Sequence, residues 1–178
     1  LQRGLSSGTD IVFVHAGSKF NSGPENLVNL LPNQQLIGEG ELVAGRSTQN
    51  FVTVSAAGDL LTVELPKSPT FAASPTLDRP DIANSIGNAV VLANGSQFSG
   101  FTITNPTVNG IFSNGAEGTT INDVGISGAG SSAMLLQNTS GNMTISNTSL
   151  ISAAGATGPL LRVNGGSGIM TFSSTDAF

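Results

Sequence analysis

The chain contains no cysteine, no tryptophan and no tyrosine, and only one histidine. Without cysteine there is no disulfide, no thiolate metal ligand and no thiol nucleophile. Without Tyr and Trp it lacks the rings that join a π face to a polar handle, so a broad sugar-stacking platform is not expected. Charge is scarce too, at 10% of residues against about a quarter in an ordinary domain. Six Lys and Arg scattered singly, with a net charge of −5, leave no basic stripe to neutralise a phosphate backbone, which argues against a nucleic-acid partner. No window approaches the eighteen or so continuous apolar residues of a bilayer span, and no basic amphipathic stretch would lie on a membrane surface, so this segment is not expected to insert.

What the chain does have is 178 residues, 38% of them apolar, and a mean hydropathy of +0.16, enough for one domain with a real core. Its 23 glycines lie among many Asn, Ser and Thr, which makes a surface of hydroxyls and amides. That composition, poor in Lys and Glu, leans toward an exported bacterial protein and an extracellular or cell-surface location. No helical stripe can be drawn through Ile111, Phe112, Ile121, Val124 and Ile126, because Gly and Asn interrupt each candidate turn. These isolated aliphatics must be buried by neighbouring segments.

A repeat supplies the neighbours. Val90–Thr104, Gly110–Ser127, Met134–Ser152 and Leu160–Phe178 align on Asn94, Asn114, Asn138 and Asn164, each Asn between two short apolar strands. Their second-strand positions Phe98, Ile121, Ile145 and Phe172 are 23, 24 and 27 residues apart. Apolar and small polar residues alternate within the strands, and Asn-Gly, Ser-Gly or Gly-Ala mark the corners. One unit cannot close a core, but stacked coils can. The alignment predicts three interior columns: Val91, Ile111, Leu135 and Leu161; Phe98, Ile121, Ile145 and Phe172; and Ile103, Ile126, Leu150 and Ala177. The four asparagines are expected to share a corner as a structural amide ladder; the functional alternative is a row of glycan-binding amides. The fold expected is all-β, a right-handed parallel β-helix with coils of about 23–27 residues.

Residues 1–65 read as irregular N-terminal coils. Ile11, Phe13 and His15 fall on one face of a strand and Val12 and Val14 on the other; two more strands are broken at Pro32-Asn33; and Leu1–Leu5 suit the remnant of a helical cap. Residues 66–88 hold four of the eight prolines and read as an excursion before regular coils over 89–178. The whole is one β-helix segment, expected to belong to a longer chain and to end in an unfinished coil that continues or pairs with another molecule.

The stretches "GTDIVFVHAGS", "LLPNQQLIGEGE", "RPDIANSIGNAVVLANGSQFSGFTITNP" and "NGIFSNG" resemble the opening region of large bacterial β-helix repeat proteins predicted to be exported, such as those of planctomycetes, within the pectate-lyase-like superfamily. The resemblance covers nearly the whole chain and implies the fold. It does not select an activity, because lyases, hydrolases, adhesins and passive stalks share that solenoid. Lyases of the superfamily use an Arg base with Ca²⁺-holding carboxylates, and its galacturonan hydrolases use three Asp from adjacent coils. Neither set is matched: in the regular coils only Glu117, Asp123 and Asp176 are acidic, and no three share a register.

The best chemical cluster is Asp78, Arg79 and Asp81, suited to a cation or to acid and base roles, and read here as an Arg79 ion pair that pins a loop. Glu39 and Glu41 read as solvated turn acids, and His15 as a capped strand end without a catalytic partner. Asp123 reads as an outward residue whose loss would be nearly silent. "NGGSGIMTF" lacks the Asp that a Ca²⁺-binding nonapeptide needs, and the Gly-rich "GEGELVAG" and "GISGAG" are turns. Asn94, Asn138, Asn142 and Asn147 match the glycosylation acceptor pattern, which this composition produces by chance. No catalytic residue, metal ligand or cofactor is therefore assigned. The function expected is a non-enzymatic extracellular structural or cell-surface module, whose partners are itself or further repeats through open ends, or surface glycans or proteins. The alternatives are a lyase or hydrolase of acidic polysaccharides, and a glycan-binding adhesin segment.

Overall fold

A computed structural model describes residues 11–15, 17–21, 27–38, 42–43, 46–47, 52–53, 62–63, 79–146, 148–152 and 155–173. Among them there is no helix. Three parallel sheets form the walls of a β-solenoid of about five turns. The first sheet runs β1 (Ile11–Val14), β4 (Gln35–Gly38), β11 (Gln97–Ser99), β14 (Thr120–Asn122), β17 (Asn142–Ser146) and β20 (Ile169–Ser173). The second runs β2 (Lys19–Asn21), β9 (Asp81–Ala83), β12 (Thr102–Thr104), β15 (Gly125–Ala129) and β18 (Ser149–Ser152). The third runs β3 (Val28–Asn29), β10 (Val90–Val91), β13 (Ile111–Asn114), β16 (Met134–Thr139) and β19 (Leu161–Gly166). The chain visits the three sheets in that order in every coil, so each strand's partner is its counterpart one coil away.

The registers decide what is inside. In the first sheet Val12, Leu36, Phe98, Ile121, Ile145 and Phe172 lie in one column. In the second, Phe20, Ile82, Ile103, Ile126 and Leu150 do the same. Both columns appear as the repeat alignment predicts, except that Ala177 lies outside the described residues. Phe98 and Phe101 stack across the corner between these sheets, centroids 4.9 Å apart, and both are fully buried.

The third column requires a correction. Val28, Val90, Ile111, Met134 and Leu161 are the register partners that face the core. Val91 and Leu135, expected inside, pair with Phe112 and Arg162 in the neighbouring column on the outer surface, and both are half-buried. Successive strand residues point to opposite faces, so a slip of one residue exchanges inside for outside. The runs Val90-Val91 and Met134-Leu135-Leu136 have no polar residue to mark the alternation.

The break at Pro32-Asn33 is a corner between β3 and β4, with Asn33 left-handed at φ 63°. The excursion, however, starts earlier than the prolines suggested. Leu36 and its partner Phe98 are 62 residues apart, whereas regular coils repeat after 21 to 27. Among the described residues the three sheets take no strand between β4 and β9, and Asp81–Ala83 already pairs within a regular coil. Between them, among the described residues, are two short antiparallel pairs, β5 (Leu42–Val43) with β6 (Arg46–Ser47) and β7 (Val52–Thr53) with β8 (Thr62–Val63). Leu1–Leu5 and residues 66–78 lie outside the described residues.

Burial falls away in the last coil. Phe172 is 38% exposed and Val163 48%, while their register partners Ile145 and Leu136 are buried. Each interior side chain is thus covered by the coils on both of its sides.

The adjacent residues Met134 and Leu135 test the register. Met134→Ala removes a fully buried side chain and should cost about 2–5 kcal/mol in urea unfolding, whereas Leu135→Ala should cost less than half as much. Equal losses would mean that the face assignment of β16 is wrong.

Candidate functional site

The sequence offered one cluster with chemical potential, of which Arg79 and Asp81 are among the described residues. Arg79 Nη2 donates to Asp123 Oδ1, 44 residues along the chain. The registers explain how. Thr102 pairs with both Asp81 and Gly125, so Arg79, Gly100 and Asp123 occupy one corner position in three successive coils. A Cβ on Gly125 would meet Arg79 Nη1 at 3.8 Å, so the guanidinium lies beside the coil of β15. Asp123 adopts the left-handed conformation, φ 55°, which Asp tolerates better than most residues. Asp123, expected to be an outward residue whose loss is nearly silent, is thus the partner of Arg79 just before β9 begins. Asp81 accepts a hydrogen bond from Thr104 Oγ1, at 3.0 and 3.2 Å to its two oxygens, one coil on. Asp78, Glu39, Glu41 and Asp176 lie outside the described residues.

The other polar candidates are engaged in the same way. Glu117 accepts from Ser140 Oγ of the next coil, and its backbone N–H donates to Asn94 Oδ1 at 3.2 Å. His15 is exposed at the end of β1 with its ring edge-on to Phe13, centroids 5.3 Å apart. Among the described residues no three His, Cys, Asp or Glu are grouped so as to hold a metal ion.

The amide ladder is only partly where the alignment put it. Asn138 Nδ2 donates to Asn114 Oδ1 at 3.1 Å, but in register Asn114 and Asn164 both face Gln137, not Asn138. A more deeply set ladder, unrecognised in the sequence, lies where the second sheet turns into the third. Asn109 Nδ2 donates to Asn88 Oδ1 at 2.8 Å, while Asn109 Oδ1 accepts the N–H of Ser132 at 3.1 Å. Asn109 is buried, and it links three coils through one side chain. The signal was present: Asn88, Asn109 and Ser132 stand two residues before Val90, Ile111 and Met134, which are register partners.

Left-handed residues mark the corners, and they follow a rule along the axis. A Cβ placed on Gly128 would lie 2.1 Å from Asn105 Oδ1, and one on Gly95 2.2 Å from Asn33 Oδ1. At these two corners the Asn side chain leans into the place that the next coil's Cβ would take, so the position one coil on has to be Gly. The outer face of the first sheet is correspondingly plain: Gln97, Thr120, Thr144 and Thr171 form one column, and beside it Ser146 Oγ donates to Asn122 Oδ1 at 2.8 Å. Of the glycosylation-pattern asparagines, Asn94, Asn138 and Asn142 are exposed, and Asn147 lies outside the described residues.

Comparison of the chain with protein-family models, with curated proteins and with solved structures gives no match.

Two sets of variants follow from this geometry. Asn109→Ala leaves a buried backbone N–H without its acceptor and should lower unfolding free energy by about 1–3 kcal/mol, whereas Asn114→Ala on the exposed corner should cost under about 0.5 kcal/mol. Reversed losses would relocate the structural ladder to the expected corner. For the Arg79–Asp123 pair, Arg79→Met and Asp123→Asn should each destabilise by about 1 kcal/mol at low salt, and the double variant by no more than either alone. Additive losses in that cycle would show that the two side chains act independently.

Proposed function

We propose that this chain is a non-enzymatic, extracellular structural or cell-surface interaction module, of the right-handed pectate-lyase-like type found in large exported planctomycete β-helix proteins. The observation that supports it best is the use made of the carboxylates. Asp123 holds Arg79 across two coil steps, Asp81 receives Thr104, and Glu117 receives Ser140, each tying one coil to another. An acid or base engaged in this way is a fastener of the stack. The right-handed assignment rests on the strong preference of parallel crossover connections for that hand. The export reading rests on composition, with its wealth of Ser, Thr, Asn and Gly and its scarcity of charge.

Partners in this reading are further β-coils, and surface glycans or proteins along the polar walls. Unpaired strand edges template pairing with any available strand, which is why solenoids need polar terminal units.

Purified protein incubated with polygalacturonate and alginate, with and without Ca²⁺, should release neither unsaturated nor reducing ends. Product formed by the wild type and lost in Arg79→Ala would establish the lyase or hydrolase alternative. Binding of labelled oligosaccharides without turnover would establish the adhesin instead. Light scattering should show association of the chain at high concentration, abolished when a polar capping helix is fused after Phe178. A monomer in both forms would remove the stacking partner from the proposal.

A further inference from the structure

No further inference is drawn: the strongest candidate, the half-buried apolar column Val91, Phe112 and Leu135 on the outer face of the third sheet, is a sheet face for which nothing in the structure shows what covers it.

Discussion

Every other feature of this molecule depends on in-register stacking of like side chains from one coil to the next. A coil of 21 to 27 residues contributes a single two- to six-residue strand to each wall, too little to enclose a core of its own. Placed at the strand spacing of about 4.8 Å, however, Ile121 lies between Phe98 and Ile145, and Ile111 between Val90 and Met134. All six are buried.

Register must be held at the corners, where the backbone leaves one sheet and enters another. There the polar residues do for hydrogen bonding what the aliphatics do for burial. Asn109 satisfies a neighbour's backbone N–H inside the wall, Asn105 fills the space that Gly128 vacates, and Asp123 combines a left-handed turn with an ion pair. Buried amides left without partners would each cost on the order of 1–3 kcal/mol, so a polar corner is viable only when it repeats in phase with the stack. The wealth of Asn, Ser, Thr and Gly is thus suited to the joints.

This division of labour bears on function. A parallel solenoid is an architecture shared by unrelated activities, and activity must be argued from particular side chains. Here Asp81, Glu117 and Asp123 face Thr104, Ser140 and Arg79 of other coils, and the first wall presents Gln and Thr in rows. Such a body presents repeated, weakly charged surfaces along the stack.

The sequence by itself determined the class of fold, the coil length and two of the three interior columns. Around Phe98, Ile121 and Ile145, and around Ile103 and Ile126, single large aliphatics or aromatics are flanked by polar or small residues, so period and face are both legible. Tertiary structure alone decided the third column, because Val90-Val91 and Met134-Leu135-Leu136 are apolar on both faces and only pairing with Ile111 selects which face turns inward. It also decided the partners of Arg79 and Asn109. Those contacts join residues 21 to 44 positions apart, and no local pattern encodes them: they exist because closing each coil brings the same corner back over itself, with the true register setting which side chains meet.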